Sequence, residues 1–283
     1  MAQLLKGADV SAAIVERTKE QVAHLAQQGI TPCLAILRVG AKDSDESYVR
    51  GAKKRCAETG VKVAEVNLAE DVSQEEFDKA LSALNKNNDV HGILMLRPLP
   101  KQLDEARACA MLNPAKDVDG CTEGSLAGVF TGSKTGFAPC TAQAVIEILN
   151  HYGIDCKGKK AVVIGRSLVI GKPVAMMLLE KNATVEICHS RTSDVASEAR
   201  EADIIVAATG VMENVDAAYV RAGQTVIDVG ISWNNEKGKL CGDVLFEEVE
   251  PVVDAITPVP GGVGAVTNAV LISHVVEAAL RAH

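Results

Sequence analysis

The stretch VVIGRSLVIGKPVAMMLL, residues 162–179, decides the fold of the second half of the chain. Apolar residues run into a glycine, then a short turn, then a second glycine that opens a run with helical spacing. Gly165 permits the tight turn, Gly171 lets the next helix pack close, and Pro173 suits a first helical turn. Backbone N–H groups and the helix dipole at such a turn favour a diphosphate. The spacing is not Gly-x-Gly-x-x-Gly, so this turn alone fits either a nucleotide loop or an ordinary strand-to-helix turn.

Further strands are expected on either side of this stretch, at 33–40, 61–67 and 91–96 before it and 184–188, 203–207 and 225–229 after it. Helices are expected between them, among them 10–28, 43–59, and one opened by the Ser73 and Glu76 capping box. Residues 101–140 are turn-rich and read as a joint, followed by a bridging helix over 141–152; the run 268–281 is a last helix. Strands alternating with helices imply parallel sheets. The fold class is therefore α/β, as two three-layer domains flanking a cleft, the second a Rossmann-like NAD(P)-binding domain. The boundaries place 1–140 with 268–283 in the first domain and 141–267 in the second.

Composition narrows the function. Hydrophobic residues make up 47% and aromatics only 3%, which suits sheet cores of Val, Ile, Leu and Ala. A net charge of -8 argues against a nucleic-acid partner. The basic clusters Lys53 to Arg55 and Lys157 to Lys160 read as solvated faces. Eight cysteines without a CxxC read as reduced thiols, with no metal site. No apolar stretch is long enough for a membrane span, so a cytoplasmic protein without a membrane partner is expected.

Arg166 stands at the tip of the glycine turn, and Ser190 and Arg191 follow the next strand, where an adenosine ribose would lie. An acidic residue there selects NAD, whereas Arg and Ser accept a 2′-phosphate. A surface Arg on a loop remains a competing reading for Arg191.

The succession KDVDG (116–120), PCT (139–141), GRSLVIGKP (165–173), HSRT (189–192) and TPVPGGVG (257–264) resembles the methylenetetrahydrofolate dehydrogenase/methenyltetrahydrofolate cyclohydrolase family across essentially the whole chain. The resemblance implies tetrahydrofolate derivatives as substrates, NADP as cofactor and a homodimer. It implies that Tyr48 stacks on the folate, that Asp119 contacts the pterin, and that Pro260, Gly261 and Gly262 line the substrate site. It places Gly165, Arg166, Ser167, Ser190, Arg191 and Ile231 at the cofactor.

The match breaks at two places. Bifunctional family members carry a lysine four residues after the tyrosine and a glutamine two residues before the first proline of their GILVQLPLP run. Here Ala52 and Leu96 stand there. Losing both hydrogen-bonding partners together is more informative than losing one. At about 100° per residue, Lys53 turns away from the face of Tyr48, and Arg55 returns to it only about 10 Å further along. Arg97, as the strand neighbour of Leu96, should point to the opposite side.

The expectation is NADP-dependent oxidation of 5,10-methylenetetrahydrofolate with the cyclohydrolase step lost or weak. The alternatives are the full bifunctional enzyme, a catalytically degraded folate- or nucleotide-binding regulator, and another Rossmann-type dehydrogenase. Tyr48 together with KDVDG disfavours the last.

Overall fold

Strands and helices follow one another as the apolar spacing requires. The computed structural model describes residues 1–40 and 43–283, with Asp43 and Ser44 as backbone only. Strand β1 (Gln3–Leu4) precedes helix α1 (Gly7–Gln27). Then come β2 (Cys33–Val39), α2 (Asp43–Thr59), β3 (Lys62–Leu68), α3 (Gln74–Lys86) and β4 (Gly92–Met95). The capping box at α3 is present: Glu76 N–H donates to Ser73 Oγ at 3.3 Å and Ser73 N–H to Glu76 Oε2 at 3.2 Å.

The segment read as turn-rich also holds two short helices, α4 (Glu105–Met111) and α5 (Glu123–Thr131). Each opens on a side-chain cap, Asp104 or Thr122, which a sequence reading takes for one more turn residue. The remaining elements are α6 (Cys140–His151), β5 (Lys160–Ile164), α7 (Gly171–Glu180), β6 (Thr184–Cys188), α8 (Val195–Glu201) and β7 (Ile204–Ala207). They are followed by β8 (Thr225–Asp228), a hairpin of β9 (Ser232–Asn234) and β10 (Lys239–Cys241), α9 (Phe246–Val249), β11 (Ala255–Ile256) and α10 (Thr267–Ala282).

The chain divides into two compact units, one of residues 12–140 with 268–283 and one of residues 1–11 with 141–267. The expected boundary put residues 1–11 in the first domain, and here the structure differs. Gln3 and Leu4 pair in parallel with Ala255 and Ile256, and Gly7 N–H donates to Gly261 O at 2.8 Å. Two strand residues carry too little pattern to be read from the sequence.

In the amino-terminal unit three parallel strands lie in the order β3-β2-β4. Strand β2 is buried except at Arg38, as a central parallel strand requires. Phe77 and Leu81 of α3, both at 0% exposure, fill the core over Ala35, Leu37, Ile93 and Met95. Helix α10 packs so close to β4 that a Cβ on Gly92 would lie 2.7 Å from Val118 Cγ1 and 2.9 Å from Val275 Cγ2. That approach explains the glycine.

The second unit carries a six-stranded parallel sheet in the order β1-β11-β8-β7-β5-β6. The chain leaves β5 for β6 on one side and then passes to β7 on the other. This reversal makes the carboxyl ends of β5 and β7 the switch point where such sheets bind ligands.

One buried carboxylate fixes the loop after α4. Asp117, at 0% exposure, accepts from Cys121 N–H at 3.0 Å, Thr122 N–H at 2.7 Å and Ser125 Oγ at 2.6 Å. Asp117→Ala strands three donors, each costing about 1–3 kcal/mol when buried unpaired. Denaturant unfolding should show a loss of several kcal/mol, where a change within experimental error would show the network to be idle.

Candidate active site

Tyr48 lies on α2, the helix that leaves the carboxyl end of β2, and Asp119 lies in the bend held by Asp117. The structure brings these two expected residues together: Tyr48 O–H donates to Asp119 Oδ1 at 3.3 Å. Burial dominates their electrostatics. Desolvation raises the Asp119 carboxyl to about 6, against hydrogen bonds from Cys140 and Tyr48 and the nearby Arg97 guanidinium, which favour the ionised form. Burial, and then the Asp119 charge, hold the Tyr48 phenol well above its ordinary value.

Three further groups lie at this pair or hold its neighbours without having been assigned there from sequence. Cys140, within the PCT run, donates to Val118 O at 3.3 Å and lies 3.9 Å from His274 Nδ1. His274 Nδ1 also bonds Val118 O at 2.9 Å, so α10 and the KDVDG bend are tied together. Arg97 is the third, and the alternation argument fails for it. Strand β4 ends at Met95, so Leu96 and Arg97 are no longer strand neighbours. The guanidinium is held by Glu105 at 3.5 Å, with Asp119 among the charges that raise its pKa.

Ala52 and Leu96 are buried, at 0% and 8% exposure. The neighbouring cations are engaged elsewhere. Lys53 Nζ pairs with Glu65 at 2.6 Å and Arg55 with Glu58 at 2.6 Å. Asn268 packs its amide against Gly51, where a Cβ would collide with it, and its buried Oδ1 has no partner among the described residues. Beside the same site Cys109 is lowered to about 7, first by a hydrogen bond from Cys121 and then by Arg97. Cys121 is pushed up in return.

The other expected residues belong to the second unit. Gly165, at φ +133°, ends β5, and a Cβ on it would strike Ala208 O. A Cβ on Gly171 would strike Gly165 O, so both glycines are sterically required. Ser167 serves the turn itself, its Oγ accepting from Ile170 N–H at 3.3 Å and its carbonyl from Lys172 N–H at 3.0 Å. Ser190 and Arg191 follow β6 in a turn closed by Thr192 N–H to His189 O at 2.8 Å. Arg166 and Arg191 are exposed, and neither makes an ion pair among the described residues.

Exposed apolar side chains mark the same edge of the sheet: Leu168 after β5 at 57%, Val211 after β7 at 56%, and Ile231 after β8 at 59%. No carboxylate follows β6 before Asp194. A glycine turn, free guanidinium groups and apolar surface at the switch point fit a phosphorylated dinucleotide. The Pro258 to Gly264 loop is anchored by Gly7, with Pro260 and Gly261 exposed and Gly262 buried.

Two family models match the chain. Tetrahydrofolate dehydrogenase/cyclohydrolase, catalytic domain, covers residues 5–119, and the NAD(P)-binding domain of the same family covers 139–283. Among curated relatives, the "Bifunctional protein FolD" of Carboxydothermus hydrogenoformans is 51% identical over 279 residues, covering 98% of this chain and 97% of that protein. Among solved structures, the bifunctional FolD of Campylobacter jejuni superposes with TM-score 0.95 at 39% identity, covering 99% of each chain. The Trypanosoma brucei FolD, complexed with NADP cofactor and inhibitor, superposes at TM-score 0.91 and 33% identity, covering 99% of this chain and 98% of that one.

The Asp119 carboxyl ionises near 3.8 in an unfolded chain and near 6 in the fold. Its protonated form is favoured by folding, so its contribution to stability is full below the lower value and is lost as pH rises through the upper one. NMR of the labelled carboxyl should give a midpoint near 6. Tyr48→Phe removes a bond to the ionised form and should move that midpoint upward; an unmoved midpoint would break the assignment. Alkylation near neutral pH should label Cys109 ahead of the other seven thiols, read by peptide mass mapping.

Proposed function

Because the chain belongs to the tetrahydrofolate dehydrogenase/cyclohydrolase family, we propose that it oxidises 5,10-methylenetetrahydrofolate to 5,10-methenyltetrahydrofolate with NADP as hydride acceptor. One observation supports this reading: the same chain carries the Tyr48–Asp119 pair at 3.3 Å and a glycine turn at the switch point of a parallel sheet.

The chemistry asks little covalent work of the protein. Hydride leaves a methylene carbon bridging two nitrogens, and the resulting cation is delocalised over both. What remains for the chain is positioning. Tyr48 offers a ring face to the folate and Asp119 a carboxyl to the pterin N–H groups, with Pro260, Gly261 and Gly262 lining the same substrate. Gly165, Arg166 and Ser167 would hold the diphosphate side of NADP, Ser190 and Arg191 its 2′-phosphate, and Ile231 its nicotinamide side. Bound there, the nicotinamide supplies the acceptor carbon for the hydride.

Hydrolysis of the methenyl cation needs an activated water and managed protons, and on this step two readings part. The first is that ring opening is lost or slow. Buried Ala52 and Leu96 stand where the family's lysine and glutamine would be, and Lys53, Lys54 and Arg55 are paired with Glu65 and Glu58. The second is full bifunctionality, which the names of the relatives favour at least as well. It also has a base to call on, the Asp119 carboxyl at about 6 with Arg97 beside it. A regulator without catalysis has no observation in its favour.

Purified protein with 5,10-methylenetetrahydrofolate should reduce NADP; absence of turnover would leave the regulator. In the same preparation, methenyltetrahydrofolate hydrolysis should fall about 10²–10⁴-fold below that of a relative carrying the lysine, the usual share of acid–base catalysis. Hydrolysis matching dehydrogenase turnover decides for the second reading, and Asp119→Asn should then abolish it. Arg191→Ala should raise the KM for NADP about tenfold or more and leave that for NAD unchanged, since only NADP carries the 2′-phosphate.

A further inference from the structure

The amino-terminal unit holds a pocket of about 650 Å³ that none of the residues above uses. Strand β4 begins beside it at Gly92, and Leu34 of β2 pairs with Gly92, so the pocket lies at the amino ends of the strands. Tyr48 follows the carboxyl end of β2. The two are thus different sites of one unit.

The walls are cationic. Lys116, Lys134 and Arg281 line the pocket, and among the described residues no Asp or Glu does so. Arg281 is neutralised by Glu277 at 2.7 Å, whereas Lys116 and Lys134 make no ion pair among the described residues. Lys116 has a structural duty, donating to Leu84 O at 3.2 Å and Asn87 O at 2.6 Å at the end of α3. An ammonium has three donors, so one remains. Its charge is not cancelled, and burial lowers its pKa.

An independent observation points to a ligand. His91, also on the wall, is 6% exposed, and its Nδ1 accepts from Cys33 N–H at 3.2 Å. In the neutral ring the proton therefore sits on Nε2. That donor is buried and has no hydrogen-bond partner among the described residues. The exposed ring of His283 stands 5.8 Å from the His91 ring, centroid to centroid, and also lines the pocket. Desolvation first, then His283 and Lys116, lower the His91 pKa against a smaller opposing pull from Asp89, so the ring meets a ligand as a neutral donor.

We propose that this pocket binds a small oxyanion, the carboxylate or phosphate group of a metabolite, with Lys116 and Lys134 supplying the charge and His91 Nε2–H a directed bond once the His283 ring swings aside. Val90, Ala278 and Ala282 give it an apolar wall for a compact carbon body. The site is tied to the one described above through covalent chain. Lys116 opens the same KDVDG run that ends by placing Asp119 beside Tyr48.

The test uses the full chain with ¹⁵N-labelled histidine and saturating NADP, which occupies the other phosphate-binding region. Inorganic phosphate and glutarate are titrated separately while the His91 Nε2 signal is followed. One or both anions should shift it and raise the His91 titration midpoint, and the arm that responds identifies the oxyanion. Lys134→Ala, an exposed change, should weaken that binding about threefold to fivefold, while Arg191→Ala should leave it intact. A His91 signal unmoved by either anion, or binding indifferent to Lys134→Ala, overturns the proposal. The readout does not pass through hydride transfer, so its failure and a failure of the dehydrogenase reading are separable.

Discussion

The Asp117 carboxylate, buried beneath its own loop, is the contact on which the amino-terminal site depends. It gathers two backbone N–H groups and the Ser125 hydroxyl, and so turns the chain sharply after the lysine of KDVDG. With that bend set, Val118 falls into the core against Gly92 and α10, and its carbonyl meets His274 and Cys140. Asp119 is then delivered to Tyr48 at the edge of the core. One residue on the run holds the bend, its neighbour but one meets Tyr48, and Lys116 before them lines a separate pocket.

Desolvation decides the character of the site more than any ion pair. Asp119 has a guanidinium nearby and two hydrogen bonds that favour its ionised form, yet burial wins and its carboxyl stands near neutrality. A group so poised can either hold a proton or accept one near neutral pH. That double competence is why the apolar pair Ala52 and Leu96 argues for one activity while the immediate neighbourhood of Asp119 still leaves a base for two.

In the other unit, the constraint is steric. Gly165 and Gly171 leave no space for a side chain between strand, turn and helix, so backbone rather than side chain forms the tip of β5. The sheet order puts that tip at the reversal of direction, and β6 and β8 bring Ser190, Arg191 and Ile231 to the same edge. Ser167, expected to face the cofactor, uses its hydroxyl to hold the turn. The loop Pro258 to Gly264 is held from the opposite end of the chain, through Gly7.

The longer elements were legible in the residues because periodicity is a local property. Strands 33–39, 62–68, 160–164 and 184–188, and helices opened by a capping box or closed by a glycine, announce themselves within a dozen residues. The glycine turn was legible for the same reason, whereas Tyr48 and Asp119 were singled out by the resemblance of the whole motif set. Three things lay beyond such reading. The two-residue strand β1 joins a sheet built mostly from residues more than 150 positions later, and two residues carry no period. Arg97 reaches the neighbourhood of Asp119 because β4 stops one residue before the alternation would have turned it away. The surroundings of Asp119 come from three separate stretches, α2, the turn after β4 and the start of α6, with α10 holding its neighbour Val118. The sequence alone determined which residues could stack, turn and bind. The tertiary structure decided which were dehydrated together, and dehydration sets their protons, because it is a property of neighbours that the chain order does not record.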